Sequence, residues 1–429
     1  MSRKVFISFL GATNYGPCDY QINGESFGTE RFIQVSTLRM LTKNRDWSPS
    51  DKAYILLTND AEKKNWMDEG QCNPKTKEPI KGLKGLNSDL DSLANEIGAE
   101  SFPTIEPVRN LPDGNNETEI WEIFSKVFEK IQDGDELYFD ITHGYRYLPM
   151  LIHVLNNYAK FLKQASVKSL TYGNYEISER GQKPGSIVDL LPLSTLQDWT
   201  FAAGQYMDNG EVKELVRLSE SNEKLHGTMS DLHEVVKEMQ TCRGIDIITS
   251  AKIKLVKEKI DNLDQTYLPP LTPVMDKIRT SLDDFDSNEN VRNGYSAAKW
   301  CIHNGLFQQG ITILMETMYT DVCISNGYDW KKRRYRDIAS SSFTIVKDNI
   351  LEKDWRYEKS EKEGSKKRQE KYEAYKKMIA SPKLIGLMDL YQEASDLRND
   401  IDHAGMRNNA RQTDVLVDSI TKLIDKIPC

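Results

Sequence analysis

Glu136-Leu137-Tyr138-Phe139-Asp140-Ile141-Thr142-His143-Gly144-Tyr145-Arg146 decides the fold of the first half of this chain. The first six residues read as a buried strand and the last five as a small polar loop, and Leu148 to Leu162 behind them is strongly helical. Outward from there the unit recurs. Val5 to Leu10 is a continuous apolar run, as expected of a strand buried on both faces, and it opens into Gly11-Ala12-Thr13-Asn14-Tyr15-Gly16. Phe27 to Leu41 reads as a helix. Ala53 to Leu57 is a second buried strand that leaves Thr58-Asn59-Asp60 at its end. A short strand is expected near Thr104-Ile105, and a helix from Ile120 to Ile131 with Glu117 and Glu119 near its positive end. Ser166 to Tyr172 and Ile187 to Leu191 complete the strands. Strands alternating with helices predict an α/β domain with a mostly parallel, doubly wound sheet. Ligands of such sheets sit outside the carboxyl ends of the strands, where the loops 11–16, 58–60 and 142–146 converge.

Those loops carry no familiar nucleotide fingerprint. Gly11 to Gly16 is neither G-x-G-x-x-G nor a P-loop, which argues against a dehydrogenase or an ATPase. They still offer what a nucleotide needs. Backbone N–H groups near Gly144 are expected at a helix start, Thr and Asn side chains can read base edges or riboses, and Arg146 can meet a phosphate. The turn from Asp140 to Gly144 reads equally well as a plain strand-to-helix connection with Thr142 as N-cap. His143 is expected as a hydrogen-bonding or stacking contact rather than a base, since no neighbour in sequence orients it.

Beyond Leu191 the strand pattern stops, and Trp199 to the C-terminus is helical in character, with Pro269, Pro270 and Pro273 as punctuation. Leu215 to Met239 reads as a long, polar connecting helix, and Ile247 to Leu263 continues it. Ala297 to Tyr319 is the most apolar helix pair, and Glu316, His303 and Asn304 within it are read as structural. Near the end, Leu384, Leu387, Met388, Tyr391, Ala394, Leu397 and Ile401 recur at helical spacing, and Arg398 and His403 interrupt them. A guanidinium opposes charge that develops on a phosphodiester, and an imidazole moves protons near neutrality. A charged helix end is the bland reading of the same residues.

Composition narrows the classes. At 429 residues two or three domains are expected, and 28% charged with 38% hydrophobic residues suits a globular chain with ample core. No apolar run is long enough to span a bilayer, and Arg3-Lys4-Val5 leads into a strand with no signal-peptide pattern. Six scattered cysteines without a C-x-x-C pair suit a reducing cytoplasm. His-x-x-x-His is absent too, so no metal site is expected. A net charge of −8 argues against a nucleic-acid coat protein but leaves room for a local basic cleft. Lys331 to Arg334 and Lys366 to Arg368 are the basic clusters; the second lies in a mixed-charge run from Lys359 to Lys377 that reads as a solvated helix or mobile insertion.

Two segments together resemble one family. Asp140 to Arg146 after a strand looks like the ligand loop of CARF domains, and Arg398-Asn399-Asp400-Ile401-Asp402-His403 fits the R-x4-H signature of HEPN ribonucleases. A Rossmann-like sensor followed by a helical domain with that signature is similar to the CARF–HEPN ancillary ribonucleases of type III CRISPR systems. The resemblance is weak between Gly204 and Asn293. It implies a CARF ligand-sensing domain over residues 1–195, an all-α connector over 196–290 and a HEPN domain over 291–429. It also implies a cyclic oligoadenylate as allosteric activator, with cyclic tetra-adenylate expected ahead of cyclic hexa-adenylate and no other cofactor. Ligand residues would then fall among Gly11, Thr13, Asn14, Tyr15, Thr58, Asn59, Thr142, His143, Gly144 and Arg146. Arg398 and His403 would be the catalytic pair, supported by Asn399 and Asp402.

The implied partners are single-stranded RNA and a second copy of the chain, as a homodimer or a higher even-numbered oligomer, with no membrane and a cytoplasmic location. Proton transfer at two places and a charged phosphorane are a heavy load for one His and one Arg, which independently favours two copies across an isologous interface. Products of attack by the RNA's own 2′-hydroxyl would be a 2′,3′-cyclic phosphate and a 5′-hydroxyl. A competing reading is a non-catalytic nucleotide-sensing regulator whose helical half binds a protein or DNA. A third has Thr142, His143 or Arg146 position the ligand's own ribose for self-cleavage.

Overall fold

The computed structural model describes residues 2–73, 75–180, 182–263, 269–355, 366–406, 408 and 410–428. It divides into two compact units, Met1–Thr195 and Leu196–Cys429. In the first, strands β1 (Lys4–Leu10), β2 (Cys18–Ile22), β3 (Glu25–Glu30), β4 (Lys52–Thr58), β5 (Thr104–Leu111), β6 (Glu136–Asp140), β7 (Ser166–Asn174) and β8 (Gly185–Asp189) form one sheet. Its order is β3-β2-β8-β7-β6-β1-β4-β5. Pairings from β7 through β6, β1 and β4 to β5 are parallel, and β2 pairs β8 in parallel. The β2–β3 and β7–β8 pairs are antiparallel. The expected mostly parallel sheet is present.

The helices of this unit are α1 (Ile33–Thr42), the short α2 (Asn59–Ala61), α3 (Leu86–Ile97), α4 (Glu117–Phe128) and α5 (Leu148–Lys163). They cover both faces, and β1 shows why its sequence has no polar alternation. Val5, Ile7 and Phe9 join the core under α4 and α5, and Phe6 and Leu10 join the core under α1 and α3. Asn116 caps α4 by accepting from the Glu119 N–H at 3.0 Å, while Glu119 accepts from the Asn115 N–H at 2.9 Å.

Three expectations need correction here. Phe27 to Glu30 is strand rather than helix, part of a hairpin whose turn runs through Asn23 and Gly24, both at positive φ. That turn pattern was legible as Asn-Gly in sequence. The helix α3 was not anticipated, and β5 continues well past Ile105.

The second unit is helical among its described residues: α6 (Leu191–Asn209, which begins in the first unit), α7 (Lys213–Ser219), α8 (Glu223–Gln240), α9 (Gly244–Thr249), α10 (Ala251–Asp261), α11 (Thr272–Thr280), α12 (Arg292–His303), α13 (Phe307–Ser325), α14 (Arg333–Lys347), α15 (Lys366–Ile379), α16 (Pro382–Gly386), α17 (Met388–Asp402) and α18 (Thr413–Lys422). The expected long connecting helix is broken between Ser219 and Glu223, and its continuation is broken at Ser250, which sits at φ +60. Leu225, Met229, Leu232, Val235 and Val236 join one apolar core that extends from Trp199 to Ile427. Of the mixed-charge run, residues 359–365 lie outside the described residues, and the rest belongs to α15. No helix of the described residues is long and apolar enough to cross a membrane.

Candidate functional site

β6, β1 and β4 are parallel neighbours, so their carboxyl ends bring loops 142–146, 11–16 and 58–60 to one edge. By way of the β2–β3 hairpin the chain reaches β4 on one side of β1 and later β6 on the other, so strand order reverses about β1 and a crevice opens there. A pocket of about 400 Å³ lies there, lined by Gly11, Thr13, Tyr15, Thr58, Thr142, His143 and Gly144 with Phe9, Leu56, Tyr145 and Leu148. Seven of the ten expected ligand residues are therefore brought together. Asn14, Asn59 and Arg146 are exposed and stand outside that lining.

Tyr15 and His143 form the floor feature. Their ring centroids are 4.2 Å apart at 35°, and Phe32 supports Tyr15 edge-on at 5.9 Å. Gly11 is required by this packing, since a Cβ there would stand 2.1 Å from the Tyr15 hydroxyl. Burial pushes the Tyr15 phenol up. The His143 side chain is half-buried as a whole, but Nε2 is enclosed and has no hydrogen-bond partner among the described residues. That enclosure holds the ring neutral, with its pKa lowered to about 4.

A pH dependence follows. The unfolded ring takes up a proton near pH 6.5 and the folded one only near 4, so between those values the unfolded state binds more protons and stability falls as pH drops. Above the unfolded value the contribution is complete. We expect about 1–3 kcal/mol less stability at the acid end than at neutrality from this ring. Asp140 is raised by burial and acts in the opposite sense, so the measurement is the urea midpoint of wild type against His143→Phe, which leaves Asp140 in place. Equal acid losses in the two proteins would show that the ring is not held neutral.

Thr142 does not cap a helix, which corrects one sequence reading. α5 starts at Leu148 with Tyr147 as its N-cap residue and no side-chain cap. Thr142 instead donates from its hydroxyl to Asp140 Oδ1, with its N–H on the same oxygen at 3.2 Å, and accepts from the Gly173 N–H at 2.7 Å. Asp140 is fully buried, and its other oxygen accepts from Ser8 Oγ at 2.7 Å. Gln34 Nε2 donates in turn to Ser8 Oγ at 3.1 Å and to the Phe9 carbonyl at 2.9 Å. A Thr142 hydroxyl with its only proton on Asp140 is poorly placed to act on a ribose. Gly144 lies at φ +117, and a Cβ there would stand 2.3 Å from Leu148 Cδ1, so a glycine is needed for the chain to clear α5. The helix starts at Leu148 as expected, so the N–H groups near Gly144 belong to the loop before its first turn.

Sequence reasoning missed the groups that hold the loops. Asn65 is fully buried and donates through Nδ2 to the carbonyls of Gly11 and Thr13, both at 2.8 Å. Arg31 at 3.0 Å and Gln71 donate to its Oδ1. Asp140, Ser8 and Gln34 form the matching brace under the other loop. Ser8, a hydroxyl inside an otherwise apolar strand, was the available signal.

In the second unit, Arg398 lies in the last turns of α17 and His403 is its C-cap residue at φ −91. Five positions turn a helix by about 140°, so the two do not share a stripe. His403 is exposed, and its N–H meets the Asn399 carbonyl at 3.3 Å. Arg398 is half-buried; its Nε is 3.5 Å from Asp402 Oδ2, too long for a hydrogen bond. Asp402 therefore steers the guanidinium without saturating it, and Asn399 lies half-buried one turn from His403. Asp400, unremarked in sequence, is buried and accepts from the Arg411 backbone and guanidinium, each at 3.1 Å. That pair ties the returning chain to α17 after Ala404 and Gly405 reverse it at positive φ.

Residues 5–176 match the family model described as CRISPR system endoribonuclease Csx1, CARF domain, which spans β1 to β7. CRISPR-associated protein MJ1674 of Methanocaldococcus jannaschii is 25% identical over 359 residues, covering 75% of this chain and 54% of that protein. The chain spans about half the length of the curated relative it matches. These matches support a CRISPR-related protein with a CARF-type ligand-sensing domain at its N-terminal end.

Proposed function

We propose that the chain is a cyclic-oligoadenylate-activated endoribonuclease that cleaves single-stranded RNA without a metal ion, in type III CRISPR antiviral defence. The observation that carries this reading is the pocket over β6, β1 and β4 in a CARF-like unit, in a chain whose helical unit ends α17 with Arg398 and His403. The Tyr15–His143 pair gives an adenine a face to stack on, and the pocket's hydroxyls and backbone groups can read its edge. A volume of about 400 Å³ sits at the small end for ligand sites and suits a part of a cyclic oligonucleotide. Two copies would then hold one ring between them.

In the reaction, His403 moves the proton between the ribose 2′-hydroxyl and the leaving 5′-oxygen, and Arg398 opposes the charge of the phosphorane. Asp402 and Asn399 orient that pair. A second copy supplies the second His and Arg, and the ends are a 2′,3′-cyclic phosphate and a 5′-hydroxyl. Ligand binding works as a population shift toward the dimer geometry in which both pairs are competent, so the ligand must bind that geometry more tightly.

The test is cleavage of labelled single-stranded RNA in EDTA with cyclic tetra- and hexa-adenylate. Cleavage should depend on ligand and be stronger with the tetramer. Tight ligand binding with no RNA turnover in either case would instead mark the chain as a non-catalytic regulator.

A further inference from the structure

The net charge of −8 makes RNA docking a local matter, and one surface of the second unit concentrates what a single strand needs. Between Tyr328 and Arg336 the chain carries Lys331, Lys332, Arg333, Arg334 and Arg336 against one acid, Asp329. The Tyr328 and Tyr335 rings pack at 4.7 Å and 31°. The Arg334 guanidinium lies 4.4 Å over Tyr335 and donates to its hydroxyl at 2.5 Å. From α15, Lys377 Nζ reaches to 5.3 Å over Tyr328 and donates to the Asn326 carbonyl at 2.7 Å.

The charges around this ring pair are not equivalent. Lys331, Lys332, Arg333 and Arg336 face Glu289, Asp329, Asp337 and Glu316. Arg334 and Lys377 are exposed and meet no carboxylate among the described residues. Two cations thus bracket a tyrosine pair, each held in place by an aromatic face or a carbonyl rather than by an opposite charge. Such pre-placed cations bind phosphates without first giving up an ion pair, and a guanidinium held over a ring offers its own plane to any base.

We propose that Tyr328, Tyr335, Arg334 and Lys377 form a docking strip for single-stranded RNA, the substrate in the ribonuclease reading on which this proposal rests. Arg334 and Lys377 take consecutive phosphates, and a base stacks on the Arg334 guanidinium that Tyr335 carries. The strip binds by charge and stacking and does not select sequence.

The experiment uses the full chain carrying His403→Ala, so that RNA stays intact, and follows a short labelled oligouridylate by fluorescence anisotropy across a salt titration. Arg334→Gln with Lys377→Gln should weaken binding about tenfold or more at low salt and flatten the salt slope by roughly 1.4, the share of two phosphates. Tyr335→Ala should weaken binding about fivefold or more with the slope unchanged. In the chain with His403 intact, the double substitution should raise KM and leave kcat as it was. An unchanged Kd and slope in the double variant, no binding by the parent, or equal competition by duplex DNA would each overturn the strip. RNA binding lost in the double variant, beside no cleavage by the wild type, would sustain the strip and sink the ribonuclease reading; the reverse pattern would do the opposite.

Discussion

His403→Ala is expected to lower ligand-stimulated RNA cleavage by about a hundred- to ten-thousand-fold and to leave Tm and ligand affinity unchanged. The clean separation comes from where the residue sits. His403 is exposed at the end of α17, and its backbone N–H makes the bond that closes the helix. Truncation to Ala keeps that bond and removes only the imidazole, so stability should move by no more than about 0.5 kcal/mol. Arg398→Ala should cost about a hundred- to a thousandfold, and Arg398→Lys should recover little, because an ammonium cannot hold two phosphate oxygens at once. Asp402→Asn should cost less than either, since it releases the guanidinium from a 3.5 Å approach without removing it. Retained cleavage in His403→Ala would remove this helix end from the chemistry. Asp400 belongs in a separate class: its loss would unpair Arg411 and unfix the chain that leaves the helix, so a fall in its activity would be accompanied by a fall in Tm.

How far the sequence reached follows from the range of the interactions involved. The strands β1, β4 and β6 and the helix α5 were legible because each is a continuous stretch with its own hydrophobic pattern. The convergence of their loops followed from parallel topology alone. What escaped were groups whose roles depend on distant partners. Asn65 matters because of carbonyls more than fifty positions away, and Asp140 because of Ser8 and Gln34 on other elements. Thr142 has the chemistry of an N-cap, and only the Gly173 N–H on β7 shows that it joins two strands instead. The polar look of Leu215 to Met239 misled for a similar reason, since an α-helix with one apolar stripe buries that stripe whatever its average polarity. At the other end, Arg398 and His403 stood out because they break a pattern, and a broken pattern is a local signal.

A second large effect is expected on the helix that leads away from the pocket. Val154→Asp with Phe161→Asp should convert the protein to monomers and abolish ligand-stimulated cleavage. Along α5, Met150 (74% exposed), Val154, Tyr158 and Phe161 (83% exposed) form one apolar stripe at helical spacing, on a helix with no acidic residue. A stripe of this kind marks a surface meant to be covered. The second copy of the proposed dimer would cover it. The stripe lies on the helix whose first residue, Leu148, lines the pocket, so in the proposed dimer a two-fold axis running along the helix would set two small pockets side by side. Symmetry also sets the size of the effect. Each substitution occurs twice in an isologous interface, and losing even one large side chain at about 2 kcal/mol per copy shifts the dimer Kd by about a thousandfold. The monomer itself should be unharmed, since Phe161 contributes little to the folded core. Sedimentation velocity on the full chain reads the oligomeric state and a parallel cleavage assay the activity. A monomer that still cleaves on addition of ligand would show that one Arg398 and one His403 suffice, and the case for a two-copy active site would end there.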